Sequence, residues 1–160
     1  MYLRPILPLD RDPLAHLVRR IENFNTSEVD IALELIDEAV QKKDQSSYKI
    51  IVALEPEGEE ERILGYICFG KTPMTEHTYD LYWIAVDPER RGRGVGNQLL
   101  KAMEESLRHN GGRTIRVETS SRETYDGTLE FYTNTGFIMV GRIPKFYQEN
   151  DDLIILCKTL

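Results

Sequence analysis

Cysteine is scarce in this chain of 160 residues, which holds only Cys68 and Cys157, each set singly inside an apolar, strand-like run. Two lone thiols make neither a disulfide framework nor a zinc spacing, so both read as buried thiols. The three histidines, His16, His77 and His109, are scattered without ligand spacing, and no metal site is expected. Long apolar runs are missing as well. No window approaches about eighteen apolar residues, and the first twenty positions carry Arg4, Asp10, Arg11 and Asp12, which leaves no core for a signal peptide. A soluble, cytoplasmic protein without a membrane partner is the expectation. Basic charge is in deficit, since 20 Lys and Arg stand against 27 Asp and Glu for a net charge of -7 and a pI near 5.1. Binding nucleic acid calls for a basic face, so no nucleic-acid partner is expected and a cationic partner is favoured. Neither internal repeats nor low-complexity tracts occur. What remains is an ordinary packed composition, 41% apolar and 29% charged, which at roughly 100 to 200 residues per domain predicts one domain over residues 1–160.

The periodicities predict a mixed order of elements. Tyr2 to Ile6 reads as a short strand in which Pro5 suits an edge. Asp12 followed by Pro13 signals a helix start, with Leu14, Leu17, Val18 and Ile21 at helical spacing. A second helix begins near Thr26 or Ser27 and shows Val29, Leu33, Ile36 and Val40 on one face. Three strand-like runs follow, Tyr48 to Leu54, Ile63 to Phe69 and Leu81 to Val86, the first two separated by an acidic stretch, Glu55 to Arg62, that reads as a solvated hairpin turn. A helix from about Val95 to His109 stops at Gly111 and Gly112. Ile115 to Thr119 is a strand, Thr128 to Thr135 a short helix, and Phe137 to Val140 and Leu153 to Cys157 are two more strands. Three successive strands argue for antiparallel pairing, and the strand, helix, strand unit from Leu81 to Thr119 argues for one parallel pair. The fold class expected is α/β with a mixed, mostly antiparallel, twisted sheet and helices on both faces.

The chemistry concentrates in Asp87-Pro88-Glu89-Arg90-Arg91-Gly92-Arg93-Gly94-Val95-Gly96-Asn97, between a strand and an amphipathic helix. Glycines turn the backbone tightly and expose its N–H groups, and a helix N-terminus adds partial positive charge, so the segment suits a diphosphate. A glycine-rich turn with solvated arginines is the plain competitor. A P-loop would place Lys-Ser or Lys-Thr after the glycines, and none stands there. A dinucleotide fingerprint gains from Glu118, which ends the next strand at about the right distance for a ribose, but Asn97 stands where its third glycine belongs.

Arg91-x-x-Gly94-x-Gly96 resembles the pyrophosphate-binding motif of the GNAT N-acetyltransferase superfamily. Ile84-Ala85-Val86-Asp87-Pro88 is similar to that family's central strand, and Phe131-Tyr132-Thr133-Asn134-Thr135-Gly136-Phe137 resembles its Phe/Leu-Tyr-x-x-x-Gly-Phe segment. The two motifs are separated by one helix and one strand, as in the family, whereas residues 1–70 match only as a pattern of elements.

The resemblance implies acetyl-CoA as cosubstrate, with its diphosphate held by the backbone of Arg91, Gly92, Arg93, Gly94, Val95, Gly96 and Asn97. It implies a sheet that splays between the strands ending at Val86 and Thr119. The pantetheine arm would pair with Ile84, Ala85 and Val86, and a freed N–H there would polarise the thioester carbonyl. Tyr132 matches the tyrosine that protonates the departing sulfur, its other reading being a half-buried packing residue. Asp80 stands where several members carry a catalytic glutamate, and with Glu118 it is a candidate to take the proton of the amine, although a strand-end carboxylate is as readily a capping or solvated residue. Ser120 and Ser121 stand where many members carry asparagine. The acceptor is expected against the Phe24 to Val29 junction and the loop Ile143 to Asn150, with Phe146 and Tyr147 as one wall. The expected function is transfer of acetyl to a primary amine of a small molecule or protein, and a homodimer is compatible with it. A non-catalytic acyl-CoA or nucleotide-binding module is the alternative.

Overall fold

A computed structural model describes residues 1–58 and 60–160 of the chain. Strand β1 (Tyr2–Pro5) leads through a turn into helices α1 (Arg11–Arg19) and α2 (Thr26–Lys42). Strands β2 (Tyr48–Glu57), β3 (Glu60–Lys71) and β4 (Thr78–Val86) follow. Helix α3 (Val95–His109) crosses to β5 (Thr114–Ser120), and α4 (Asp126–Asn134) leads to the closing pair β6 (Ile138–Gln148) and β7 (Asp151–Thr159). The order of elements is the one that the periodicities predict. Among the described residues no helix is long and apolar enough to cross a membrane.

The strands form one sheet in the order β1-β2-β3-β4-β5-β7-β6, and every pairing is antiparallel except β4 with β5. Helices cover both faces. Leu99, Leu100, Met103 and Leu107 of α3 bury their shared stripe against Ile67, Phe69, Ile115, Val117 and Leu156 of the sheet. On the opposite face Leu14, Leu17 and Val18 of α1 and Ala32 and Ile36 of α2 cover Ile50, Val52, Tyr66 and Cys68. Each buried aliphatic side chain contributes about 1.5–3 kcal/mol of transfer free energy, so Leu99, with no exposed surface, is a position where truncation to Ala costs about 2–5 kcal/mol.

Four local expectations are corrected. Helix α1 begins at Arg11 rather than Pro13, because Asp10 is buried and accepts from the Leu7 N–H at 2.7 Å and from Arg4 at 2.6 Å, closing the turn that starts the helix. Pro13 then falls in the first helical turn, where its missing N–H costs nothing. Charged residues between Glu55 and Arg62 are not a loop, since Glu55↔Arg62, Pro56↔Glu61 and Glu57↔Glu60 still pair. Glu59 lies outside the described residues. The segment Ile143 to Asn150 is likewise mostly strand, and its ladder is interrupted between Ile143 and Gln148, where Lys145 has φ 55° and its N–H bonds Asp152 Oδ1 at 2.8 Å. Of the two thiols Cys68 is buried, whereas Cys157 is only partly so.

Candidate active site

The parallel ladder between β4 and β5 is short. It consists of Thr78↔Thr114, Tyr79↔Ile115 and Asp80↔Arg116, and beyond Asp80 the two strands part. On its other edge β4 carries a bulge, with Trp83 opposite Cys68 and Leu81 opposite Phe69, so Tyr82 has no partner in β3. A bulge bends its strand and raises its twist, and this one falls where pairing with β5 ends. The fork opens into a cleft of about 950 Å³, lined by Asp80 to Val86 on one side and Arg116 and Glu118 to Ser120 on the other. Ile84, Ala85 and Val86 pair with Ile67, Tyr66 and Gly65 of β3, while their other edge faces the cleft without a strand partner.

At the wide end of the fork lies the glycine loop. Asp87 is buried and gathers three donors, the N–H of Glu89 at 3.1 Å, Arg62 at 3.0 Å and Arg20 at 3.4 Å. Burial alone would push the Asp87 carboxyl up, but the backbone bond and the two guanidinium groups more than offset it and hold it below the ordinary range. Arg62 and Arg20 also reach Glu89, so the turn before the loop is bolted to β3 and to the end of α1. Gly92 and Gly94 have φ of +75° and +78°, a region that costs an L side chain energy, and an added Cβ at either would meet nothing within 4 Å. Gly94 is the residue before α3, and it gives the helix no side-chain cap. The N–H groups of Val95, Gly96 and Asn97 therefore stand at a helix N-terminus with the open space beside them. Two of the three arginines are engaged elsewhere. Arg90 pairs with Glu55 at 2.9 Å, and Arg91 approaches Glu22 at 4.0 Å, whereas Arg93 makes no ion pair among the described residues.

Along the cleft, Tyr132 of α4 is 3% exposed and packs edge-on against Phe131 and Phe137. Burial pushes its phenol up, and its hydroxyl makes no hydrogen bond among the described residues. Arg116 Nε donates to Asp80 Oδ1 at 2.6 Å, and Arg116 Nη1 lies 3.4 Å from Glu118 Oε1. Arg116, Glu118 and Ser120 alternate along β5 and share one face. Across the cleft, the Tyr125 hydroxyl donates to Glu28 Oε1 at 2.6 Å, which ties the start of α2 to the turn before α4. Ser120 Oγ and Arg122 both engage Asp151, a buried carboxylate at the start of β7. Phe24 leans on Trp83 with ring centroids 4.7 Å apart.

A family model described as the Acetyltransferase (GNAT) family matches residues 15–137. The chain belongs to that family. A solved GNAT-family protein from Desulfovibrio desulfuricans superposes with a TM-score of 0.91 at 36% identity, over 99% of this chain and 98% of that one. An aminoglycoside 6'-N-acetyltransferase complexed with coenzyme A gives a TM-score of 0.73 at 20% identity, over 99% and 97% of the two chains, which shows likeness of fold. In sequence the chain is 34% identical over 79 residues to the N-alpha-acetyltransferase RimI of Mycobacterium tuberculosis, 49% of this chain and 46% of that protein. The matched stretches span less than half the length of the curated relatives.

In this GNAT chain the fork brings together most of the residues that the sequence singles out. Tyr132, Asp80, Glu118, Ile84 to Val86 and the loop residues Arg91, Gly92, Gly94, Val95, Gly96 and Asn97 border one cleft, whereas Arg93 does not line it. Of the expected aromatic wall only Tyr147 reaches it, and Phe146 stands edge-on behind, 5.0 Å away and 53% exposed. Phe24 and Asn25 of the α1–α2 junction line it as expected. Arg116 and Asp151 were not singled out by the sequence, and Glu28 and Tyr125 were read only as part of the α1–α2 junction and as aromatic surface near the cleft. Of the first two, Arg116 alone left a signal there, since it stands two residues before Glu118 in an alternating strand.

Proposed function

We propose that residues 1–160 act as one N-acetyltransferase domain that moves an acetyl group from acetyl-CoA to a primary amine. The observation that carries this reading is the fork itself, a free strand edge that leads from an uncapped helix N-terminus with two left-handed glycines into a cleft. Those groups fit the cofactor: backbone donors at Val95, Gly96 and Asn97 suit a diphosphate, and the unpaired edge of Ile84 to Val86 suits an amide-bearing arm. When bound, acetyl-CoA supplies the acyl group as a thioester. The protein's part is to hold the amine against it, to offer an N–H of β4 to the developing oxyanion, and to move two protons. Tyr132 gives its phenolic proton to the sulfur as the carbon–sulfur bond breaks. Asp80 or Glu118, directly or through water, takes the proton that the attacking nitrogen must lose.

The acceptor half of the cleft favours a cation. Glu28, Asp80, Glu118 and Asp151 border it against Arg116 and Arg122, so two carboxylates are in excess. Burial pushes the Tyr147 phenol up, and three of these carboxylates, Glu118, Asp151 and Glu28, add to it. An acceptor with a positive charge besides the reacting nitrogen matches that balance. CoA release with acetyl-CoA and a panel of mono- and diamines, including peptide N-termini, tests the reading. Turnover that rises with acceptor charge is expected. Tight CoA binding with no turnover on any amine would favour the non-catalytic module.

A further inference from the structure

Strand β6 is the least covered part of the sheet. It stands at one end of the strand order, and among the described residues β7 is the one element against which it packs extensively. Along its eleven residues Gly141 alone is partly covered and all the others are exposed. The large apolar side chains left open there are Ile138, Met139, Val140, Ile143, Phe146 and Tyr147, with Ile138 66% exposed. Six such side chains on one strand make a patch on the order of several hundred Å², the size at which exposed apolar surface marks an interaction site. The outer edge also presents a row of backbone N–H and C=O groups without a ladder partner. Pairing with β7 shows which side chains share a face. Ile138, Gly141 and Ile143 stand opposite Cys157, Ile155 and Leu153 and lie on one face, while Met139 and Arg142, opposite Leu156 and Ile154, lie on the other. The first face is the one that α1 and α2 cover over β2 and β3, yet among the described residues no side chain of β5, β6 or β7 belongs to the core beneath those helices.

Charge indicates what covers this edge. The charged side chains of β6, Arg142 and Lys145, are both neutralised within the chain, by Asp152 and Glu149. A foreign strand of either charge finds no free partner here, whereas two copies, each with a net charge of -7, meet at a neutral edge. The strand is also complementary to itself. With a twofold axis between Val140 and Gly141, antiparallel pairing sets Ile138 opposite Ile143 and Met139 opposite Arg142 of the second copy, so each pair joins side chains of one face and no guanidinium meets another.

We propose that the outer edge of β6 docks on the same edge of a second copy, antiparallel about that axis, and that this pairing steadies the acceptor wall of the cleft. Tyr147 lines the cleft from the same strand, Phe146 packs edge-on behind it, and the ladder to β7 is interrupted between Ile143 and Gln148, so in a single chain that wall is held from one side only. The second half of the proposal rests on the reading of the cleft as an acetyltransferase site.

Sedimentation velocity at about 50 µM, where a micromolar contact is largely filled, tests the pairing. The wild type should sediment as a dimer. Two double variants, Ile138→Glu with Ile143→Glu and Ile138→Lys with Ile143→Lys, place charge at exposed positions on which the fold of one chain does not depend. Each sets like charges opposite one another and should be monomeric, while an equimolar mixture sets Glu against Lys at both contacts and should sediment as a heterodimer. A monomeric wild type, a glutamate variant that stays dimeric, or two monomeric variants that fail to pair when mixed would each overturn the interface. On any amine that the wild type acetylates, the glutamate variant should show an acceptor KM raised at least about threefold, an unchanged acetyl-CoA KM, and recovery of the acceptor KM on mixing. An unchanged acceptor KM in the monomer would overturn the role in the cleft. Absence of turnover on every amine would remove the acetyltransferase reading and that role with it, and sedimentation would still decide the pairing.

Discussion

Burial pushes the Tyr132 phenol above its ordinary value of about 10, and this bears on its proposed use as an acid in two ways. The proton is in place throughout the neutral range, as a donor requires. It is also held more tightly than a thiol holds its own, whose reference value is about 8.5, so transfer is favourable only to a thiolate that is itself desolvated in the cleft. Tyr132→Phe removes one hydroxyl and leaves the ring contacts with Phe131 and Phe137. It should lower kcat by about 10 to 10⁴-fold while acetyl-CoA affinity hardly moves, as a single-turnover assay beside a binding titration would show. For the proton acceptor, Asp80→Asn should depress kcat at neutral pH and recover in part at high pH, where the amine arrives neutral. Glu118→Gln is measured in parallel, and wild-type profiles in both would return the two carboxylates to structural roles. Individual roles of this kind were legible in sequence only where a motif carried them. Arg116 is 36 residues from Asp80, and Tyr125 is 97 from Glu28, so no local pattern could have announced either bond.

At the scale of elements the order was legible and the ends were not. Helix α3 runs over the residues that its apolar spacing predicts, because five buried apolar positions and a double-glycine stop all point the same way. The β2–β3 hairpin was legible but its last rungs were not, because they project as a two-stranded ribbon with charged side chains, where no alternation of burial marks a strand. The β6 excursion escaped because Asp152 reaches back to Lys145 and Arg142 to hold a bulge that pattern alone reads as a loop. The glycine turn into α3, proposed as the diphosphate site, was legible as a turn, but the clamp on it was not: Asp87 sits in the motif, while Arg20 follows α1 and Arg62 lies in β3. Asp87→Ala frees two guanidinium groups and the Glu89 N–H, and should weaken CoA binding about tenfold with the loss of about 2 kcal/mol of stability. Gly94→Glu adds both a side chain at positive φ and a negative charge beside the helix N-terminus. Gly94→Ala isolates the backbone cost, about 1 kcal/mol, so a folded Gly94→Glu protein should lose at least another tenfold in CoA affinity beyond the alanine variant. Equal affinity in the two variants would place the diphosphate elsewhere.

For the whole molecule the buried phenols set a limit on stability at high pH. Tyr66, Tyr125 and Tyr132 are all pushed up, chiefly by burial, and so is the Cys68 thiol. A group whose value is raised by folding keeps its proton in the native state after the unfolded chain has lost it. The unfolded state then binds fewer protons, and stability falls as pH rises through and above the unfolded values of about 8.5 for the thiol and about 10 for the phenols. Carboxyls such as Asp87 and Asp37, held below their ordinary range, act in the opposite sense, and their contribution is lost as pH falls through those lowered values. Each proton retained only by the native state steepens the alkaline decline by about 1.4 kcal/mol per pH unit. Urea unfolding of wild type and Tyr132→Phe between about pH 10 and 11.5 should therefore give slopes that differ by about half that amount at the lower end and by nearly all of it at the upper, the variant being the shallower. The same comparison bears on the chemistry. If the slopes coincide, the Tyr132 phenol ionises in the folded protein as readily as in the unfolded one and holds its proton no more tightly than an ordinary phenol, which makes it the better donor to a thiolate. A shallower slope in the variant together with lost turnover leaves Tyr132 as a donor that keeps its proton until a desolvated thiolate forms beside it.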